Sequence, residues 1–469
     1  MEGRLPPPFM ADETTGLVRY TDSWLIDVDG QPHQGDFILR PDGDWLRSMG
    51  DEDVEFQIDG AGRLLTRAFQ NWHTHLAMVL NRSMGEGLPL MRWLEESIFP
   101  TEKGLTPEFV KVGTQAAAAE LIATGTSFAC DMYYHPEVVG EVLAESGLRA
   151  LVCGPITDGL TPNFKAGSGD ALRHVEGLVR SGSSAPERIA YGIATHSVNF
   201  CTEELLKKAA DVANATGCAL SIHTSETRQE VADCHAAHGM YPIEYLDSIG
   251  YFQEATICAH CGWVTKREMR ILAKHQVHAV HCPVSNQKLA TGGTMSYPAM
   301  IEAGVDVRLG TDGAASNNAL DMRSEMKAAS LIQRHDHWDA TLLDPVQSYE
   351  LGVRDSKDWV AWDLNDVRMR PIGRDGRRLL ANLIYSNGNC LDLWVDGRPL
   401  RRDGKTLTID DPNSLRAECL LLKESSINTV FHVNKDTYAE ESLFFSHRRT
   451  MHKRALITGR MINIIGFTQ

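Results

Sequence analysis

Residues 188–224, RIAYGIATHSVNFCTEELLKKAADVANATGCALSIHT, decide the fold class of this chain. Two short apolar runs, 188–196 and 218–223, flank a segment, 202–216, in which apolar residues recur with helical spacing. Nearly continuous apolar runs are typical of parallel strands that are buried on both faces. The stretch therefore predicts a strand, a helix and a second strand parallel to the first.

The same alternation extends in both directions from this unit. Further strand candidates lie at 64–75, 126–132, 149–154, 256–260, 277–282 and 305–312, and further helical segments at 107–124, 266–275 and 320–333. Eight strands, each followed by a helix, predict an α/β fold of the (β/α)8 TIM-barrel type. An open doubly wound sheet is the alternative, but no G-x-G-x-x-G opens any of the helices.

Short strand-like runs with Gly, Asp and Pro turns flank the barrel region on both sides. We expect the two ends of the chain to meet in a small β-sandwich. The predicted organisation is an N-terminal part of the sandwich at 1–64, the barrel at 65–357, a C-terminal part of the sandwich at 358–412, and a tail at 413–469.

Composition excludes several classes of protein. A net charge of −16 argues against a nucleic-acid partner, because such partners require a basic face. No apolar run approaches the length of a membrane helix, and the N-terminus lacks the apolar core of a signal peptide. We therefore expect a cytoplasmic protein that acts on a small molecule and associates with no membrane. The sequence is compatible with a homo-oligomer but does not determine the oligomeric state.

The strongest chemical signal is the sequence NWHTH at residues 71–75. Alternate residues of a strand point to the same side, so His73 and His75 project together from the end of the first barrel strand. Further strands end in His223, His260 and Asp312. Because the carboxyl ends of barrel strands converge, we predict a site for one divalent cation there, zinc first, with Fe²⁺ or Mn²⁺ as alternatives.

From about residue 65 to 334 the chain resembles the amidohydrolase superfamily, and within it the S-adenosylhomocysteine/5′-methylthioadenosine deaminases. The motifs that carry the resemblance are NWHTHLAM, IHTSET, AHCGWV, HCPVSNQKL and GTDGAASNN. The resemblance implies roles for eight residues: metal ligands His73, His75, His223 and Asp312, an acid/base pair Glu226 and His260, and pocket residues His196 and Ser316.

The chemistry of these residue types agrees with that implication. A bound cation lowers the pKa of a coordinated water to about 7, and Asp312 can accept a proton from it. Glu226 can then protonate a ring nitrogen, and His260 can hydrogen-bond the attacking oxygen. We therefore predict hydrolytic deamination of a heterocyclic amine, an adenine-type nucleoside such as 5′-methylthioadenosine or S-adenosylhomocysteine. Guanine or pterin deamination, triazine hydrolysis and a catalytically impaired metal-binding paralogue are the alternatives.

Two features depart from the family pattern. Arg92 stands before Trp93, where many of these deaminases carry a glutamate that binds ribose hydroxyls. An arginine cannot accept hydrogen bonds from hydroxyls, so Arg92 is predicted to bind a substrate carboxylate or phosphate, while Trp93 forms an apolar wall. The chain after Pro345 is also shorter than the family pattern by about one helix and its connection.

Overall fold

The computed structural model describes residues 16–158, 168–182, 188–254, 256–373 and 375–409. The described residues all belong to one compact unit, and residues 410–469 lie outside them. The predicted tail at 413–469 therefore also lies outside them.

The described strands, in chain order, are β1 Val18–Ile26, β2 Pro32–Leu39, β3 Trp45–Arg47, β4 Phe56–Asp59, β5 Arg63–Arg67, β6 Phe69–Thr74, β7 Thr126–Asp131, β8 Arg149–Ile156, β9 Ile189–Thr195, β10 Leu220–Thr224, β11 Thr256–His260, β12 His278–His281, β13 Asp306–Leu309, β14 Trp359–Asp363, β15 Cys390–Val395, β16 Arg398–Arg402 and β17 Lys405–Thr406.

The described α-helices are α1 Leu90–Trp93, α2 Phe99–Glu102, α3 Pro107–Thr124, α4 Pro136–Ser146, α5 Ser168–Ser181, α6 Glu203–Thr216, α7 Arg228–His238, α8 Pro242–Ser248, α9 Lys266–Lys274, α10 Pro283–Lys288, α11 Tyr297–Glu302, α12 Ala314–Asn317, α13 Met322–His337, α14 Pro345–Val353 and α15 Gly376–Ser386. Two 3₁₀ turns, Leu76–Asn81 and Val367–Met369, and a π-helical turn, Leu94–Ile98, complete the set in the described ranges.

Strands β6 to β13 form one parallel sheet in chain order, which confirms the predicted barrel. The sheet curls until its first and last strands meet, where the Asp312 amide donates to the His73 carbonyl over 2.9 Å. Buried side chains such as Trp72, Phe128 and Val280 fill the barrel interior. The barrel is therefore a packed core, and its chemistry is confined to the strand ends.

The other described strands, which come from the segments before and after the barrel, form one nine-stranded sheet, so these segments meet as expected, in a single sheet. The link between this sheet and the barrel lies inside the first predicted strand, 64–75. That strand divides at Ala68: β5 before it pairs with β14 in the nine-stranded sheet, and β6 after it belongs to the barrel. The Ala68 amide donates to the Asp358 carbonyl over 2.9 Å, so the point of division is fixed by the C-terminal segment.

The last barrel strand is followed by α12, α13 and α14, and α14 packs against both α13 and α15. Among the described residues, every barrel strand is thus followed by at least one helix. Pro345 begins α14, and β14 follows α14 after five residues, so the last barrel strand has outer helices before the chain returns to the nine-stranded sheet. No helix in the described ranges is both long enough and apolar enough to cross a membrane.

Candidate active site

The carboxyl ends of three barrel strands bring four polar side chains together. His73 and His75 end β6, His223 lies in β10, and Asp312 follows β13. One nitrogen from each of the three imidazoles lies within 4.8 Å of the others. Asp312 Oδ1 lies 3.1 Å from His75 Nε2 and 3.6 Å from His73 Nε2. The four side chains that the sequence assigned to one cation therefore surround one point.

Backbone carbonyls fix how two of these imidazoles face that point. His75 Nδ1 lies 2.5 Å from the Met132 carbonyl oxygen, and His223 Nδ1 lies 2.8 Å from the His196 carbonyl oxygen. A carbonyl can only accept, so each Nδ1 carries a proton and each Nε2 is turned toward the shared point. The two Nε2 atoms lie 3.4 Å apart. Ligating histidines typically donate their second nitrogen to a carbonyl in this way.

The electrostatics of the cluster suit a cation. His73 is fully buried, and neither of its ring nitrogens has a hydrogen-bond partner. Burial lowers the pKa of both His73 and His223, which keeps their nitrogens unprotonated, as ligation requires. Burial also acts to lower the pKa of His75, but the bond to Asp312 outweighs it and raises the value to about 9. Three imidazole nitrogens and one carboxylate oxygen fit a divalent cation such as zinc.

Two serines hold the Asp312 carboxylate from behind. Ser285 Oγ donates to Asp312 Oδ2 over 2.6 Å, and Ser316 Oγ donates to the same oxygen over 2.8 Å. The carboxylate is thereby turned so that Oδ1 faces the histidines. Ser316, which was predicted to line the pocket, is 1% exposed and lies behind the carboxylate instead.

Glu226 and His260 lie beside the cluster, with Glu226 Oε2 at 3.7 Å from His260 Nε2. Asn286 Nδ2 lies 3.0 Å from His260 Nδ1, and a donating amide there leaves the imidazole proton on Nε2. Burial, with smaller effects of Asp312 and Glu230, raises the pKa of Glu226 well above its usual value. Burial lowers the pKa of His260 to about 3. The pair thus offers a carboxyl able to carry a proton and a neutral imidazole that donates.

A cavity that is partly open to solvent faces these groups. His196, Glu226, His260 and Trp93, to which the sequence analysis gave functional roles, line it. Its apolar wall comes from the segment after β6: Met78, Leu90, Leu94, Ile98 and Phe99. A pocket with an apolar wall and few convergent polar groups is typical of small-molecule sites.

Arg92 lies outside this cavity. Its side chain is 62% exposed and pairs with Glu96, one helical turn further on, at 2.7 Å. Its neighbour Trp93 turns inward, is 6% exposed and donates from Nε1 to the Met84 carbonyl. Successive helical residues point about 100° apart, which allows Arg92 to face solvent while Trp93 faces the cavity.

The sequence reasoning missed some residues that complete the site. Ser285 and Asn286 lie in the quoted motif HCPVSNQKL, so a signal for them existed, although only the turn that carries Asn286 was considered. Glu102 and Tyr133 also line the cavity, and both are buried. No motif or spacing in the sequence marks Glu102, which ends the short helix α2 after the π-helical turn Leu94–Ile98.

Comparison with known proteins agrees with this geometry. The chain is 35% identical over 384 residues to a 5′-deoxyadenosine deaminase of Methanothermobacter thermautotrophicus, covering 78% of this chain and 89% of that protein. It is 36% identical over 374 residues to a 5-methylthioadenosine/S-adenosylhomocysteine deaminase of Thermococcus onnurineus, covering 75% and 84%.

A solved structure is also similar. The crystal structure of an adenosine deaminase from Xanthomonas campestris with bound zinc superposes with a TM-score of 0.81 and 27% identity, covering 88% of this chain and 98% of that one. Residues 64–351, which contain the barrel and all the proposed ligands, match the Amidohydrolase family. The chain therefore belongs to the amidohydrolase family and is a metal-dependent hydrolase.

Proposed function

We propose that this protein hydrolytically deaminates an adenine-type nucleoside, such as 5′-methylthioadenosine, 5′-deoxyadenosine or S-adenosylhomocysteine, and releases ammonia. The observation that carries the proposal is the Glu226–His260 pair, 3.7 Å apart beside three histidines and Asp312. Deamination requires a proton on a ring nitrogen, a donor to the incoming oxygen and an acceptor for the proton of water. The pair and Asp312 supply these three groups.

We propose that His73, His75, His223 and Asp312 hold one divalent cation, and that this cation is zinc. When bound, such a cation lowers the pKa of water and so supplies a nucleophile at neutral pH. The donor set supports zinc, and the bound zinc in the similar Xanthomonas campestris structure agrees with it. Elemental analysis of the purified protein, before and after chelation, identifies the metal directly.

The residues of the chain supply the remaining chemistry. Glu226, whose buried carboxyl can carry a proton, donates it to the ring nitrogen next to the carbon that bears the amine. His260 Nε2–H donates to the oxygen that arrives at that carbon. Asp312 Oδ1, which the two serines do not contact, accepts the proton of water and passes it to the amine, which leaves as ammonia when the C–N bond breaks. The remaining hydroxyl proton then returns to Glu226 as the new C=O bond forms, which restores the starting state of both carboxyl groups.

Residues 78–99, which follow β6 and which we call the cap segment, form the apolar wall that positions the purine and excludes water. Trp93, Leu94 and Phe99 line the cavity that the histidines also line. Expulsion of water strengthens each polar interaction within the site, because the local dielectric falls. Arg92 plays no part in this scheme, since its guanidinium is turned to solvent.

The test is a substrate panel with the metal-loaded protein. We expect ammonia release and an ultraviolet change with 5′-methylthioadenosine, 5′-deoxyadenosine, adenosine or S-adenosylhomocysteine, and roughly 10²–10⁴-fold lower kcat in Glu226→Gln. Guanine, a pterin and a triazine complete the panel. The proposal would be rejected if only guanine, the pterin or the triazine were turned over. It would also be rejected if protein with stoichiometric metal turned over no compound of the panel.

A further inference from the structure

Helices α7 and α9 begin with the same sequence pattern but use it differently. Thr227 and Glu230 open α7, and Thr265 and Glu268 open α9. Each threonine accepts the amide of its glutamate, at 3.1 Å in α7 and 3.3 Å in α9. A capping box is complete when the glutamate also accepts the amide of the threonine. This happens in α9, where Glu268 Oε2 lies 2.8 Å from the Thr265 amide.

In α7 the glutamate reaches past the threonine to the two residues before it. Glu230 Oε1 accepts the amide of Ser225 over 2.9 Å, and Oε2 accepts the amide of Glu226 over 2.8 Å. Glu230 is only 6% exposed. Both carboxylate oxygens are therefore used on the two peptide groups that lead into Glu226.

Those peptide groups are in an unusual conformation. Ser225 has a φ of +51°, a region that residues with a Cβ rarely adopt. Such a conformation persists only where neighbouring contacts hold it. On the side away from Glu230, the Ser225 carbonyl accepts the amide of Trp263 over 2.9 Å. Ser225 is thus held by Glu230 through its nitrogen and by the loop after β11 through its oxygen.

The same loop carries the partner of Glu226. The Cys261 amide, next to His260, donates to the Thr224 carbonyl over 3.1 Å. The turns that bear Glu226 and His260 are therefore joined through backbone contacts, and Glu230 closes the arrangement from the helix side. The 3.7 Å separation of Glu226 Oε2 and His260 Nε2 depends on this arrangement.

We infer that Glu230 is a positioning residue for the reaction, which acts through Glu226 by clamping the peptide groups of Ser225 and Glu226. The inference rests on the proposed acid/base function of Glu226. Glu230 does not line the cavity, so it touches no substrate. Its loss should change the chemical step more than substrate binding.

The test compares Glu230→Gln with Glu268→Gln, because each variant removes a buried carboxylate from the first turn of a helix, α7 or α9. An amide offers one acceptor oxygen and one donor nitrogen, so Glu230→Gln can accept only one of the two peptide N–H groups. We expect kcat to fall about 10- to 100-fold in Glu230→Gln, with KM and metal content within about threefold of wild type. Glu268→Gln should lower the unfolding midpoint as much as Glu230→Gln does, but its kcat should equal that of the wild type.

A double-mutant cycle separates positioning from general damage. If Glu230 acts through Glu226, then Glu230→Gln should cost little further activity in a Glu226→Gln background. The crystal structure of Glu230→Gln should show a changed distance between Glu226 and His260, and that of Glu268→Gln an unchanged one. Glu230→Asp, which keeps the charge but is one methylene shorter, should be impaired as well, and it serves if the glutamine variant does not fold.

The outcomes distinguish this inference from the proposed function. The positioning role alone is overturned if Glu230→Gln and Glu268→Gln have equal kcat. It is also overturned if Glu230→Gln lowers kcat by the same factor in the wild type and in the Glu226→Gln background. Full activity of Glu226→Gln overturns the acid/base assignment, and the positioning role with it.

Discussion

Ser285 Oγ donates a 2.6 Å hydrogen bond to Asp312 Oδ2, the oxygen that the histidines do not approach. This contact, with a second from Ser316, sets which carboxylate oxygen faces the cation site. Partners of this kind tune a metal site although they do not touch the metal, because they fix the orientation of a ligand.

Ser285→Ala should weaken metal binding about 10- to 100-fold, the usual effect of removing such a partner. Competition with a chromogenic chelator measures it. Ser330→Ala is the matched control, since Ser330 is equally buried and donates to the Leu343 carbonyl at 2.7 Å, away from the site. Identical zinc affinities in the two variants would contradict the role assigned to Ser285.

Removal of the metal should lower the unfolding midpoint of the wild-type protein. A ligand that binds only the folded state stabilises it by about 2.7 kcal/mol when present at 100 times its Kd. The midpoint should therefore rise with added zinc after chelation, as followed by circular dichroism. His73→Ala lacks one of the proposed ligands and should not respond, and an equal response would argue against the assigned cluster.

Arg92→Ala should leave kcat/KM within roughly twofold of wild type, because an exposed ion pair contributes little and the guanidinium faces solvent. Trp93→Ala, one residue away, should raise KM about 10-fold through loss of apolar contact in the cavity. Steady-state kinetics on the same substrate compares the two variants. A large effect of Arg92→Ala would mean that the cap segment moves when substrate binds.

The pH dependence of stability should carry a contribution from Glu325. This residue is fully buried, and burial raises its pKa to about 8, against the opposing bonds from Asn317 and Val284. Between the unfolded value near 4.5 and about 8 the folded state binds more protons, so this contribution to stability is lost as pH rises through that range. The slope of the unfolding free energy between pH 6 and 9 should be flatter in Glu325→Gln. The exposed Glu302→Gln should keep the wild-type slope, and equal slopes in both variants would reject the role of Glu325.

The sequence predicted the barrel because each strand is a distinct apolar run, and it predicted the ligand cluster because strand ends must converge. It did not reveal the division at Ala68, since the run 64–75 contains no Gly or Pro that would mark a break. Nothing in the spacing shows that one half pairs with a segment at the other end of the chain.

The direction in which a side chain points from a turn could not be predicted from the residue type. Ser316 follows Asp312 by four residues in a short helix, and only the path of the turn decides whether its hydroxyl faces the cavity or the carboxylate. Arg92 precedes a π-helical turn, Leu94–Ile98, where the helical phase changes. In both cases the residue type suggested a ligand contact, and the backbone geometry directed the side chain elsewhere.

The division at Ala68 has a consequence for the order of events during translation. His73 and His75 leave the ribosome early, a few residues after Ala68, yet Asp358 and β14, which fix that point, are made only after the whole barrel. Contacts so distant along the chain form slowly, because a long loop must close first. The nascent polypeptide therefore completes all eight barrel strands before the segment that fixes the position of Ala68 has been made.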